Sequence, residues 1–320
     1  MHVWRLALVL SLALVASVRR ADAAYPERNI ALIVPFAAGG ANDSVARIIG
    51  NKLSQLLGQS IVVENRPGGG TTIGTAAVAR AKPDGYTLLL ASAAHTITPH
   101  LLKGVPYKTL EDFTAIIQLT RTAYVLVTGA GSPVKTIQDL AALAVAGGRM
   151  TFASSGAGSA PHLAGQLLAT RLGVSAAHVP FQGGAPAVIA VLRGDVDVYF
   201  SSVTGARSLI EAGQLRAIAV SSDRRLSMLP ELPTLAETGV AGLTINAWYG
   251  VLGPARLPAD VVATLNGGLV KVLGDPEMVS RLRLEGEDVV ASSPDAFETL
   301  LRTDLEQFGR LVADAGWKPN

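Results

Sequence analysis

The sequence predicts an α/β protein of two lobes, each with a mostly parallel sheet, with a cleft between them. Three observations carry this prediction. Apolar strands alternate with amphipathic helices along nearly the whole chain. The alternation falls into two runs, separated by extended apolar segments at Tyr124 to Val127 and Ile245 to Leu252 that read as crossovers between lobes. Three glycine-containing loops each follow a strand and open a helix.

In the first run, Asn29 to Phe36 reads as a strand. A helix follows from about Asp43 to Leu57, because Val45, Ile48, Ile49, Leu53, Leu56 and Leu57 recur at helical spacing and Gly58 stops it. Ile61 to Glu64 is a strand and Ile73 to Ala81 a helix. Pro83-Asp84-Gly85 is a turn, and Tyr86 to Ala91 is a strand of buried-sheet character. In the second run, Thr136 caps a helix through Ala146. Met150 to Ala153 is a strand, followed by a helix to about Arg171 and a strand over Ala177 to Phe181. Gly183-Gly184 reads as a turn, Ala187 to Arg193 as a helix, and Val196 to Phe200 and Leu215 to Val220 as strands. The tail is mainly helical. Ser293-Pro294 starts a helix ending near Gly316, and the helices after Pro254 are expected to pack on the first lobe. The expected division is residues 25–124 plus 247–320 for lobe 1 and 125–246 for lobe 2.

Residues 1–24 read as a signal peptide. Arg5 precedes an apolar run from Leu6 to Val18, and small residues follow at Ala21, Ala23 and Ala24. The run is shorter than the roughly 20 residues of a membrane span. A periplasmic protein is expected. Without these residues the chain carries 24 Lys+Arg against 24 Asp+Glu, so the basic excess of a nucleic-acid binder is missing. There is no cysteine, which removes disulfides, thiolate metal sites and a cysteine nucleophile. No cofactor or metal is expected.

The glycine loops carry the binding chemistry. They are Ala37-Ala38-Gly39-Gly40-Ala41-Asn42, Gly68-Gly69-Gly70-Thr71-Thr72 and Ser155-Gly156-Ala157-Gly158-Ser159. Glycine lets backbone N–H groups turn toward a ligand, and a helix start adds unpaired donors and partial positive charge. Such loops suit an anion at the carboxyl ends of strands. None matches a phosphate-binding glycine motif, so nucleotides are disfavoured. Enzyme signatures are missing: there is no H-E-x-x-H pair and no G-x-S-x-G serine. Ser159 stands one turn from His162, but that spacing alone is no catalytic geometry. Asp43 reads as a helix-start residue and Arg66 as one half of a structural ion pair. Asp195 and Asp197 fall at the wrong end of their strand, whereas Ser201 and Ser202 lie at its cleft end.

The motifs resemble those of a known family. Pro35-Phe36-Ala37-Ala38-Gly39-Gly40-Ala41-Asn42-Asp43 is similar to the first signature of the Bug family, the substrate-binding receptors of tripartite tricarboxylate transporters. Glu64-Asn65-Arg66-Pro67-Gly68, Asp84-Gly85-Tyr86-Thr87-Leu88-Leu89, Gly156 to Leu163, His178-Val179-Pro180-Phe181, Gly194-Asp195-Val196-Asp197 and Trp248-Tyr249-Gly250 resemble further signatures, in the family's order. Three departures stand out. Gly68-Gly69-Gly70-Thr71 replaces a common Gly-Ala-Gly-Gly, Phe181-Gln182 replaces a common tyrosine-lysine pair, and Ala190 replaces a frequent aspartate.

The resemblance implies a type II periplasmic-binding-protein fold. It also implies a small carboxylate ligand gripped by backbone groups and waters, and delivery to membrane transporter subunits. Carried over, Phe36, Gly39, Asn42, Thr71, Thr72, Ser92, Ser155 and Ser159 would face the ligand; Gly40, Gly158, His162 and Ser201 complete the candidate set. No catalytic residue, nucleic-acid partner or metal is expected, and a monomer is. Two other readings remain at this stage: a sensor module presenting the carboxylate to a membrane kinase, and a small hydrolase using Ser159 or His162.

Overall fold

The computed structural model describes residues 25–145, 149–226, 228–284 and 286–314. The expected signal peptide and the expected helix end near Gly316 lie outside them. The first run comprises β1 (Ile30–Val34), α1 (Ala41–Leu57), β2 (Ile61–Asn65), α2 (Thr72–Ala79), β3 (Thr87–Ser92) and α3 (Ala94–Leu101). A long strand, β4 (Phe113–Gly129), leads to α4 (Ile137–Val145), β5 (Met150–Ser154), α5 (Ala160–Leu172), β6 (Ala176–Pro180), α6 (Gly184–Arg193), β7 (Val198–Ser202), α7 (Val203–Glu211) and β8 (Leu215–Val220). The chain returns through β9 (Asn246–Pro254) to α8 (Ala259–Leu273), α9 (Pro276–Leu284), β10 (Asp288–Val289) and α10 (Pro294–Asp314).

Two sheets share one strand. In the first, β1 pairs in parallel with β2 and β3, and β9 lies antiparallel between β3 and the Phe113–Ala123 part of β4. In the second, β5 pairs in parallel with β6 and β7, and the Tyr124–Gly129 part of β4 lies antiparallel between β7 and β8. The expected crossover at Tyr124 to Val127 is thus one stretch of a 17-residue strand that leaves one sheet and enters the other between Ala123 and Tyr124. The buried Ser221 holds this junction. Its hydroxyl accepts from the Tyr124 amide at 3.0 Å and donates to the Ile245 carbonyl, so the outgoing and returning chains are tied to one side chain.

Strand alternation explains the layers. Ile30, Leu32 and Val34 of β1 and Leu88 and Leu90 of β3 face one core with Ile49 and Leu53 of α1 and Leu265 and Leu269 of α8. The intervening Ile33, Leu89 and Ala91 face a second core that continues into the other lobe through Phe152, Leu163 and Phe200. Both faces of each sheet are covered, which is why these strands read as continuous apolar runs. α8 and α10 pack on the first sheet, as the tail pattern predicts.

Two helix starts differ from the sequence reading, and two helices are missing from it. α1 begins at Ala41, two residues early. α6 begins at Gly184, three residues early: Gly183, with φ of 145°, is its N-cap, and Pro186 is tolerated because a first-turn N–H has no helical partner. α3 and α7 go unread in the sequence. α3 holds an internal proline, Pro99, and α7 follows β7 with no loop between them.

The core contains histidines kept neutral by burial. His162 and His178 stack at 3.7 Å between ring centroids, with Phe152 against both. Burial lowers His162 to about 3, helped by the adjacent His178, and lowers His178 to about 4. His95, stacked among Tyr107 and Phe113, is lowered by burial to about 4. Asp304 shifts the opposite way: burial raises it to about 6, although Trp248 Nε1 donates to it at 2.7 Å.

These shifts set the acid response. The unfolded chain protonates its histidines near pH 6.5 while the folded chain does not, so stability is full above that pH and falls as the pH drops toward 4. Asp304 opposes this, since the folded state holds its proton between about pH 4 and 6 where the unfolded state has lost it. Asp304→Asn should therefore raise stability at pH 7 by roughly 3 kcal/mol, on the scale of 1.36 kcal/mol per pKa unit, and steepen the loss below pH 6. Urea midpoints measured from pH 4 to 8 check both expectations; a variant less stable at pH 7 with an unchanged slope contradicts them.

Candidate functional site

A cavity of about 310 Å³ lies between the lobes. It is built where helices start. Gly40, Ala41 and Asn42 open α1; Ser92 and Ala94 flank the start of α3; Ser159, Ala160 and Pro161 open α5; Gly184 and Ala185 open α6; Ser202 and Gly205 lie at the start of α7. Each follows the carboxyl end of a strand, so the α/β alternation itself directs five helix N-termini to one place.

The helices fall into two groups. α5 and α7 are capped by Ser159 and Ser202, whose hydroxyls accept from the His162 and Gly205 amides. α1, α3 and α6 have Gly40, Ala93 and Gly183 at the cap position and no side-chain cap. At α1 and α6 the first-turn amides have no helical partner either, whereas at α3 the Thr96 amide already donates to the Ala93 carbonyl at 3.2 Å. Among the described residues no side chain lining the cavity is charged. The site is therefore neutral in formal charge but positive in local field, since each helix start carries about half a positive charge.

The floor carries three buried tyrosines, Tyr124, Tyr199 and Tyr249. Burial raises all three hydroxyls well above their ordinary value. A hydrogen bond with Ser155 opposes the shift at Tyr199, and one with Ser202 opposes it at Tyr249. They stay protonated near neutral pH. Beside them is the fully buried Glu287, whose carboxylate accepts from Thr120 Oγ1 of β4 at 2.8 Å and from Thr204 Oγ1 of α7 at 2.7 Å. It joins an element of each lobe beneath the cavity.

Of the twelve sequence candidates, Phe36, Gly39, Gly40, Asn42, Ser92, Ser155, Ser159 and Ser201 line the cavity, and Thr71, Thr72, Gly158 and His162 do not. Those four stand at the contact between lobes or behind it. Thr71 ends a single 3₁₀ turn, Gly69–Thr71, and Thr72 Oγ1 donates to the Gly69 carbonyl. Gly70 packs against the Ala157 carbonyl of the other lobe, and Thr98 Oγ1 of α3 lies 3.3 Å from the carbonyls of both Gly70 and Gly158. A second contact is a backbone hydrogen bond across the cleft, from the Ala37 amide to the Gln182 carbonyl at 2.8 Å. The lobes are closed on each other at both points.

Two glycine amides expected to reach a ligand are already used. The Gly39 amide donates to Asp43 Oδ2 at 3.0 Å, and the Gly158 amide to His162 Nδ1 at 3.1 Å. These glycines shape their loops, at φ of 83° and 85°, and the donors left for a ligand belong to the helix starts beside them. Asp43 is a structural centre. Burial pushes its carboxyl upward, but hydrogen bonds from Arg47, the Gly39 amide and Asn65 outweigh this and hold it below the usual carboxylate range. Arg66 pairs with Glu64 at 2.6 Å, and neither lines the cavity. Asp197 accepts from the Thr151 amide and hydroxyl, away from the cleft.

No serine nucleophile is assembled at the cavity among the described residues. The Ser159 hydroxyl donates to the Gly156 carbonyl at 2.7 Å. Ser154 does meet His178 Nε2 at 2.6 Å, but Ser154 is fully buried and neither residue lines the cavity. Sequence reasoning missed Gly184, Ala185 and the tyrosines. The signal for the first two was present: Gly183-Gly184 follows a strand and opens a helix, as the other glycine loops do.

A family model described as the tripartite tricarboxylate transporter family receptor matches residues 45–317. Protein BugT of Bordetella pertussis is 32% identical, over 92% of this chain and 91% of its own length. The structure of the periplasmic binding protein BugD superposes with a TM-score of 0.89 at 34% identity, covering 92% of this chain and all of the other. MatC from Rhodopseudomonas palustris, with bound malate, superposes with a TM-score of 0.87 at 30% identity, covering 90% of this chain and all of the other. Among the described residues no helix is long and apolar enough to cross a membrane. The chain belongs to the tripartite tricarboxylate transporter receptor family and has the two-lobed fold of its Bug-type periplasmic binding proteins.

Proposed function

We propose that this protein is a periplasmic receptor that closes around a small carboxylate and delivers it to the membrane subunits of a tripartite tricarboxylate-type transporter. One observation supports this most strongly: the uncapped starts of α1, α3 and α6 converge on a cavity that holds no charged side chain. A methyl group added to Gly40 would stand 3.6 Å from the Gly184 and Ala185 amide nitrogens, so the positive ends of α1 and α6 face each other across the cleft. An anion between them turns that repulsion into attraction, and each helix end then contributes roughly 0.3–1 kcal/mol. The malate bound by MatC is an anion of this type. The lobes are taken as residues 25–124 with 247–320, and residues 125–246, after removal of a signal peptide over 1–24; the passage of β4 between sheets at Ala123–Tyr124 supports the first boundary.

Closure coupled to binding is the testable mechanism. A methyl group on Gly70 would collide with the Ala157 carbonyl, whereas one on Gly58, at the end of α1 and outside the cavity lining, would meet nothing within 4 Å. Both glycines have positive φ, at 62° and 68°, so alanine carries comparable backbone strain at each. Gly70→Ala should weaken carboxylate binding at least tenfold, about 1.4 kcal/mol, and keep the ligand-saturated radius of gyration at its unliganded value. Gly58→Ala should bind within threefold of the native protein and still compact. Calorimetry and small-angle scattering on both variants check this, and equal behaviour of the two would remove the closure mechanism. Failure of a panel of mono-, di- and tricarboxylates to bind the native protein would remove the receptor reading itself.

A further inference from the structure

The cavity has two unlike ends. Its polar end is the ring of helix starts. From there it runs along α6 and α7, away from their N-termini, and is walled by Val188, Ile189 and Leu192 of α6 and Leu209 of α7. Leu192 lies eight residues beyond Gly184, which at 1.5 Å per residue is about 12 Å along the helix axis. Over that distance the donors give way to branched aliphatic carbon. Ile189 is 46% exposed, one of few large apolar side chains left so open, and it lines the cavity. An apolar side chain kept in water beside a binding cavity gains only when something covers it.

The chemistry of the far end discriminates between ligands. A second carboxylate placed there would meet aliphatic side chains and no cation, and would lose its hydration without replacement. An α-amino acid would bring an ammonium group into a cavity that has no carboxylate among its lining side chains. A carboxylate with an apolar body satisfies both ends. Resting on the receptor reading above, we propose that the ligand is a monocarboxylate with an apolar tail, its carboxylate at the starts of α1, α3 and α6 and its tail against Val188, Ile189, Leu192 and Leu209.

Hexanoate, malate and glutamate serve as probes in calorimetric titrations of the full mature chain. Hexanoate should bind at least tenfold more tightly than malate or glutamate. Ile189→Asn, at a half-exposed position that leaves the core intact, should lower the ratio of hexanoate to malate affinity fivefold or more, with an unchanged melting temperature. Leu209→Asn, on the other helix, should act in the same direction. Malate or glutamate binding as tightly as hexanoate, or an affinity ratio unmoved by both substitutions, overturns the apolar-tail assignment and leaves the carboxylate receptor standing. Failure of all three probes and of the wider carboxylate panel overturns both.

Discussion

Unpaired first-turn amides are the constraint on which this structure turns. A helix start buried without partners is costly, and most are closed by a serine, threonine, aspartate or asparagine at the cap. α5 and α7 follow that rule through Ser159 and Ser202. α1, α3 and α6 have glycine or alanine there, and all three open into the same cavity. Their donors are satisfied by whatever fills the cavity. Under the proposed function, ligand and solvent compete to cap the helices, and specificity reduces to which occupant does so while covering the apolar wall of α6.

The connections between the lobes are few and localised. Among the described residues two chain segments cross between sheets, β4 at Ala123–Tyr124 and the return near Ile245, and Ser221 ties both together. A long strand shared by two sheets bends without breaking either ladder. Glu287 adds a link below the cavity, since it accepts from Thr120 on β4 and Thr204 on α7. Above the cavity the contacts are mostly backbone to backbone or glycine to carbonyl, Ala37 to Gln182 and Gly70 to Ala157, with the short Thr98 hydroxyl on the Gly158 carbonyl. Such contacts demand close approach and little side-chain ordering, which suits surfaces that separate and rejoin.

Much of this was legible in the sequence, for identifiable reasons. Fully covered sheets produce unbroken apolar runs, so β1, β3 and β5 showed directly. α1 showed through its spacing and its Gly58 stop, and Gly58 does adopt the left-handed conformation. Asn42 and Ser155 were readable because their glycine loops follow a strand and open a helix, which places them at the carboxyl edge, whereas Phe36, read as the end of its strand, was marked through the family resemblance. α3 was hidden by Pro99, which normally argues against a helix, and α7 by the lack of any loop after β7. The tyrosine floor was hidden for another reason. Tyr124, Tyr199 and Tyr249 come from three separate strands, and only the pairing of β4 with β7 and β9 brings them together.

The glycine loops show where reading chemistry from residue type needs the fold to complete it. The sequence marks Gly39 and Gly158 as places where the backbone could turn its amides to an anion. The backbone does turn there, but the freed amides are taken by Asp43 and His162. Asp43 in turn binds Arg47 and Asn65, and Asn65 reaches the Phe36 carbonyl at 3.1 Å, so the loop is fixed by a closed polar network before any ligand arrives. On the other lobe, His162 stacks on His178, and His178 meets Ser154, the residue before Ser155. Each loop is thus held from behind by side chains that never touch the cavity. The loops supply rigidity, the helix starts they position supply the donors, and preorganisation of this kind lowers the ordering cost of gripping a small anion.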